Sequence, residues 1–316
     1  MAFDANQFYV SSSTETIAWG GTRALYAGGT TGNDNTAAGD TASIDYFANI
    51  DGADANASDF GDLSAVRISL GSTGSTARAV FCGGNPSYVN IMQYVTTATT
   101  GNSTDFGDMT RGRAGSGGVS NGTRGVVALG GGSGISYSTD IDYITIASVG
   151  NGTDFGNLDQ ARGAPAGSSS SVRGLFWAGN INATPSHNDT IQYITIASTG
   201  NTTDFGDMSR IVTEHCAGGN EDRNMMAGGH YGSLQDTIEY VNPATTGNVT
   251  DFGNMIAATY MVQGTASATR FAILGGYGPV AYVASLTYVT IATTGNASAF
   301  GDMTVGRYSG TAWSGN

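Results

Sequence analysis

One phrase, Asp-Phe-Gly-Asp/Asn followed by Leu or Met, runs through this chain six times. It occupies residues 59–63, 105–109, 154–158, 204–208, 251–255 and, with Ala299 in place of the first Asp, 299–303. Its phenylalanines, Phe60, Phe106, Phe155, Phe205, Phe252 and Phe300, are 46, 49, 50, 47 and 48 residues apart. A fixed period of this length marks one supersecondary unit per copy, and each unit has to bury its apolar face against a neighbour. The 316 residues are therefore not the two or three ordinary domains that length alone would suggest.

Three further phrases keep phase with the first. An Arg leads an apolar run into two small residues, as in Arg23-Ala24-Leu25-Tyr26-Ala27-Gly28-Gly29, with counterparts starting at Arg78, Arg124, Arg173, Arg223 and Arg270. An Ile-polar-Tyr phrase follows at Ile44-Asp45-Tyr46, and its tyrosine recurs as Tyr94, Tyr143, Tyr193, Tyr240 and Tyr288. A Thr-Gly-Asn turn, as at Thr199-Gly200-Asn201, then leads into Asp-Phe-Gly, and a Gly/Ser/Ala-rich stretch such as residues 162–171 closes the unit. Four strands per copy, with no helical periodicity, predict a propeller blade. We name the strands a (small residues, innermost), b (Arg to the small pair), c (Ile-x-Tyr) and d (Phe-Gly). Small residues suit strands crowded around a central channel, and the Gly pair allows a tight exit from strand b. Strand c alternates as a half-buried strand does.

An open solenoid is the rival fold, and it needs polar caps at both ends. Here residues 307–316 read as a strand a with no strand b after it, while residues 21–29 read as a strand b. Joining them completes a blade and removes the exposed sheet edges. Residues 16–20 could fill the same slot, but the C-terminal copy is the favoured one. The expected fold is all-β: a six-bladed β-propeller of four-stranded antiparallel blades over residues 16–316, closed by pairing of the C-terminal strand with the N-terminal blade. Residues 1–15 form an N-terminal arm able to dock elsewhere.

Composition narrows the partners. The net charge is −13 and all 12 basic residues are Arg, with no Lys. Such a surface repels phosphate backbones and anionic headgroups, so neither nucleic acid nor membrane insertion is expected. No basic and apolar leader opens the sequence and no apolar run approaches the roughly 18 residues of a membrane span. Cys82 and Cys216 lie two and a half repeats apart and read as buried free thiols.

Most chemistry-bearing residues are absorbed by the repeat. Near-identical Asp-Phe-Gly copies argue for structure: Phe packing between blades, Gly permitting a bend, Asp capping N–H groups or meeting an Arg. The six strand-b arginines, and five more after the phrase (Arg67, Arg111 or Arg113, Arg162, Arg210, Arg307), are expected in bidentate Arg–carboxylate pairs. Asn-x-Ser/Thr triplets at Asn56, Asn102, Asn201, Asn248 and Asn296 recur at the c–d turn, which points to turn geometry rather than glycosylation. Glu214-His215-Cys216 is the one cluster of metal-ligating types, and its spacing matches no zinc pattern. A phosphate-binding loop would need a Lys. No catalytic residue, metal or cofactor is expected, and the chain is read as no enzyme.

The b–c connections do vary: residues 30–43, 85–91, 132–140, 180–190, 230–237 and 277–285. Alternating strands place them all on one face with the d–a segments, and function resides on loops carried by a rigid scaffold. The aromatics that break phase there, Tyr88, Tyr137, His187, His230, Tyr231, Tyr277 and Tyr282, are the candidate binding residues. They are either a surface for sugar rings or a protein partner, or padding within loops.

Residues 142–156, Asp-Tyr-Ile-Thr-Ile-Ala-Ser-Val-Gly-Asn-Gly-Thr-Asp-Phe-Gly, and Thr123-Arg124-Gly125-Val126 resemble the repeats of Kelch-like propeller proteins of tailed, marine-type bacteriophages. The resemblance spans residues 20–316, with Ala299 as the departure in the sixth copy. It implies a virion protein assembled in the bacterial cytoplasm: a tail, fibre or capsid-surface component that docks onto other virion proteins or binds a host surface glycan. It supplies no catalytic residues.

Overall fold

In the computed structural model, residues 20–32, 39–132, 137–182 and 186–315 are described, so the arm expected over residues 1–15 lies outside the described residues. The described chain is all β and forms six blades. Blade 1 is Thr311–Gly315, Arg23–Ala27, Ser43–Phe47 and Ser58–Asp62, from the channel outward. Blade 2 is Gly71–Gly74, Arg78–Cys82, Ile91–Thr96 and Thr104–Asp108; blade 3 is Gly117–Ser120, Arg124–Ala128, Ser138–Thr145 and Thr153–Gly163. Blade 4 is Ala166–Ser169, Arg173–Trp177, Thr190–Thr195 and Thr203–Asp207; blade 5 is Cys216–Gly219, Asn224–Ala227, Thr237–Val241 and Thr250–Asn254. Blade 6 is Gln263–Ala266, Arg270–Leu274, Ser285–Thr290 and Ser298–Asp302. All pairings within the blades are antiparallel. The last strand supplies strand a of blade 1, with Leu25 opposite Trp313 and Arg23 opposite Gly315.

The hydrophobic core is a ring of blade-to-blade interfaces. Phe60 and Leu63 of blade 1 pack with Leu70, Phe81 and Val95 of blade 2, and each later junction repeats this. The sixth cluster joins Phe300 and Met303 of blade 6 to Tyr26, Phe47 and Ile50 of blade 1, so burial closes the circle as well. Both faces of strand c are therefore covered. Its middle polar residue is buried: Asp45, Gln93, Asp142, Gln192, Glu239 and Thr287. Five of these six bond the end of the preceding blade's outer strand, as when Ser64 N–H donates to Gln93 Oε1 at 2.7 Å and Thr110 N–H to Asp142 Oδ2 at 2.7 Å.

The Asp-Phe-Gly phrase is a β-bulge. Ile44 pairs with Gly61 and Asp45 with Asp59, leaving Phe60 as the extra residue, and the same shift recurs in all six blades. The bulge turns Phe into the core and brings the glycine against the next blade. At Gly61 (φ 143°) a Cβ would stand 2.5 Å from the carbonyl of Gly101 in the neighbouring turn. That turn is clasped: Gly101 N–H donates to Phe60 O at 2.7 Å, and Asp62 N–H donates to Asn102 Oδ1 at 3.0 Å. The Asn clasp recurs at Asn151, Asn201, Asn248, Asn296 and, closing the ring, Asn56. Capping thus falls to the turn Asn and not, as expected, to the Asp of the phrase. Among the described residues no hydrogen bond reaches the side chains of Asp59, Asp105, Asp154, Asp204 or Asp251, which are exposed. Ala299 accordingly costs blade 6 nothing, and Phe300 is buried like its counterparts.

The arginines correct a second expectation. Each strand-b Arg lies over the strand-c Tyr of its own blade, from Arg270 at 3.9 Å above Tyr288 to Arg23 at 5.0 Å above Tyr46. Its Nη1 donates to backbone carbonyls of the next blade, as Arg23 does to Thr97 O (2.9 Å) and Ala98 O (2.8 Å). Carbonyls rather than carboxylates are the partners, because the loop of the next blade presents its C=O groups where the guanidinium emerges. Ion pairs belong to the second set: Arg307–Asp45 at 3.3 Å, Arg113–Asp140 at 3.4 Å and Arg162–Asp159 at 3.6 Å. Buried Arg67 donates instead to Val66 O. Arg210 is not one of the set; Val212 holds its place in blade 5, and Arg210 bonds Gln235 at the surface.

Candidate functional site

The b–c connections and d–a segments meet at one end of the ring. In each blade a d–a residue bridges to a residue leaving strand b: Ile68 to Asn85, Ala114 to Gly131, Thr213 to His230, Tyr260 to Tyr277, Tyr308 to Thr30 and Gly163 to Asn180. The following residue is left-handed in every blade: Ser69, Gly115, Ala164, Glu214, Met261 and Ser309, with φ of 55, 63, 49, 57, 53 and 55°. Non-glycine residues adopt this conformation only where the surroundings hold it, at a cost of roughly 1 kcal/mol or more each. Here the holding contact is a chain of backbone bonds around the opening. Ser69 N–H donates to Ser309 O (2.6 Å), Gly115 N–H to Ser69 O (2.7 Å), Ala164 N–H to Gly115 O (3.0 Å) and Met261 N–H to Glu214 O (2.7 Å). These residues rim a central channel of about 180 Å³ lined by the six inner strands.

The structure divides the seven sequence candidates into three groups. Tyr277, Tyr282 and His230 belong to one aromatic arc over blades 5, 6 and 1. His230 and Tyr260 are 5.6 Å apart, Tyr260 and Tyr277 5.6 Å, Tyr277 and Tyr282 5.5 Å, and Tyr282 stacks on Tyr308 at 5.4 Å. His187 and Tyr231 meet edge to face at 5.6 Å across blades 4 and 5. Tyr88 and Tyr137 are separate from both; with Asn85, Ala114 and Asn180 they line a shallow depression over blades 2 to 4.

Two members of the arc, Tyr260 and Tyr308, were not among the candidates. Both lie in d–a segments, where the other repeats carry Ile68, Ala114, Gly163 and Thr213, so their departure from the repeat was the available signal. All four tyrosines of the arc are half-buried. Burial raises the phenol pKa of Tyr260, with the Glu214 charge adding to it, and raises that of Tyr308, with Tyr282, Tyr260 and Asp40 adding. The arc thus has a carboxylate near each end. Val280, on the loop joining Tyr277 to Tyr282, is 91% exposed.

Groups with chemical potential elsewhere are taken up structurally or kept apart. Glu214-His215-Cys216 does not converge: Cys216 turns into the core between blades 5 and 6, its thiol donating to Ala227 O at 3.6 Å. Burial pushes both thiols, Cys82 and Cys216, well above their ordinary range. Among the described residues no three His, Cys, Asp or Glu side chains come together. One pattern passed over in the sequence is Gly118-Val119-Ser120-Asn121-Gly122, the Gly-x-Ser-x-Gly spacing of a nucleophile elbow. Ser120 is fully buried, its hydroxyl bonded to Gly74 O and accepting from Gly122 N–H at 2.9 Å, and no helix follows. It is the last residue of strand a of blade 3, paired with Gly125. What the loop face offers is stacking area beside carboxylates, on a rigid ring. Comparison of the chain with protein-family models gives no match, and comparison with curated proteins gives none.

Proposed function

We propose that this chain is a non-catalytic binding scaffold of a tailed-phage virion: a tail, fibre or capsid-surface component that docks onto other virion proteins through its loop face. One observation carries the reading. Most residues that repeat six times serve to join blades and close the ring, whereas the b–c and d–a end varies from blade to blade and collects half-exposed aromatics. A face built this way presents complementarity and no reacting group. The phage assignment rests on the resemblance of the repeat.

A second reading, recognition of a bacterial surface glycan, is favoured by the arc itself, since tyrosine faces flanked by carboxylates suit pyranose rings. Mass spectrometry of purified particles, together with a glycan array probed with the isolated protein, separates the two. Presence in the particle with a blank array supports docking, and array binding lost in Tyr277→Ala with Tyr282→Ala supports the glycan. Absence from particles overturns the virion reading, and depletion of a polysaccharide on incubation would overturn the non-catalytic one.

A further inference from the structure

We infer that the depression over blades 2 to 4 is a binding site for one residue of an uncharged saccharide, with Asn85 and Asn180 as its hydrogen-bonding pair and Tyr88 and Tyr137 as its aromatic walls. The inference rests on the glycan reading and deepens it: the sugar sits away from the aromatic arc of blades 5, 6 and 1, and it carries no charge.

Two positions that recur in every blade make the depression. The residue leaving strand b and the d–a residue bridged to it are Thr30 and Tyr308 in blade 1 and Tyr277 and Tyr260 in blade 6, but Gly131 and Ala114 in blade 3. In blade 4 the d–a member is Gly163. Rings fill these slots under the arc, whereas at blades 3 and 4 small residues leave the face hollow. The hollow has a volume of about 600 Å³, within the roughly 300–1,000 Å³ of small-molecule sites.

Its hydrogen-bonding chemistry is that of two amides. Asn85 and Asn180 hold the strand-b slot in blades 2 and 4, on either side of Gly131, and both line the hollow, partly exposed. The backbone there is already in use: Asn85 exchanges N–H and C=O bonds with Ile68 at 2.9 and 3.0 Å, and Gly131 does so with Ala114 at 2.9 Å each way. A peptide strand therefore finds no open edge to add to. Among the described residues neither side-chain amide has a hydrogen-bond partner. An amide offers acceptor and donors side by side, which matches sugar hydroxyls that both donate and accept.

The aromatic walls are held in place. The Tyr137 ring lies against Gly163, where an added Cβ would run into it. Ser87 and Tyr88 are both left-handed, with φ of 78 and 48°, and Tyr88 is 37% exposed at the rim. A bulky residue rarely adopts this conformation, and such strain gathers at ligand clamps. Charge then sets the class. Among the described residues no charged side chain lines the hollow, and Arg113, which lies behind Gly132, is paired with Asp140 at 3.4 Å. A charged ligand would lose water without gaining a counter-charge. The net charge of −13 further opposes acidic polysaccharides.

The test is calorimetric titration of the full chain with hexamers of glucose, mannose and galactose, against hexagalacturonate as the acidic control. At least one neutral hexamer should bind and the acidic one should not. Asn85→Ala and Asn180→Ala should each weaken that binding roughly threefold to tenfold, as for one lost hydrogen bond, without lowering the melting temperature. Ala114→Tyr, which gives blade 3 the residue that blades 6 and 1 carry in the same slot, should fill the hollow and abolish binding in a folded protein. Tyr277→Ala with Tyr282→Ala should leave binding unchanged. No binding of any neutral hexamer, equal binding of hexagalacturonate, or full affinity in both asparagine variants would each overturn the inference. Binding lost in the arc variant and kept in Ala114→Tyr would overturn this site while leaving the glycan reading standing.

Discussion

At the scale of the residue, unlike positions within like repeats carry the information. His215 and Leu70 occupy equivalent slots, and only the histidine brings unsatisfied polar atoms into a core junction. Leaving such atoms unpaired costs about 1–3 kcal/mol. His215→Leu should therefore raise stability at neutral pH by about that amount, read from urea unfolding. The pH dependence has a definite sign. The folded protein holds His215 at about 4, below its ordinary 6.5, so the neutral form is favoured on folding. Above pH 6.5 neither state is charged, and the stability present there is lost as pH falls from 6.5 toward 4 while the unfolded chain takes up the proton. The loss is about 3 kcal/mol at about 1.4 kcal/mol per pKa unit. The difference in unfolding free energy between His215→Leu and the parent should widen across that window; a constant difference would show that His215 does not titrate on unfolding. Nothing in the sequence distinguished an orphaned His215 from a satisfied one, because its surroundings include Gly229, which lies beyond the next strand b.

At the scale of the element, the blade is defined as much by what joins it to the next as by its own four strands. Strand-b Arg, strand-c polar residue, bulged Phe-Gly and turn Asn each have one end in one blade and the other end in its neighbour. The sequence displayed all four in phase, which was enough to count blades and order strands. It did not display partners. An Arg 23 residues before the Tyr beneath it, as Arg23 is before Tyr46, reads as a candidate for any carboxylate. A polar residue between Ile and Tyr has no visible partner until the next blade is stacked on it. One tight joint is the bulge glycine. At Gly156 (φ 145°) an added Cβ would collide with the carbonyl of Gly200, which is backbone and cannot swing aside. Gly156→Ala should destabilise the protein by about 2 kcal/mol or more, measured by urea unfolding, through overpacking plus a strained φ. Gly295, whose Cβ would meet nothing, is the control and should tolerate Ala far better.

At the scale of the whole molecule, six equivalent junctions leave no sheet edge at the ring seam, and the channel end and loop face follow from that closure. The ring was legible because its two chain ends supply complementary strands. The contents of the loop face were legible only in part. His230, Tyr277 and Tyr282 converge, and Tyr260 and Tyr308 join them from d–a segments, where a departure from the residues of the other repeats was their one mark. Closure rests on residues 311–315, which put Ala312 into one blade junction and Trp313 into another. The most direct measurement is the thermal unfolding of a chain ending at Gly310. Removing that strand opens blade 1 and exposes two cores at once, so the cooperative transition should be lost or fall by tens of degrees. A truncated chain that melts as sharply and as high as the full one would contradict a ring held shut by its last strand.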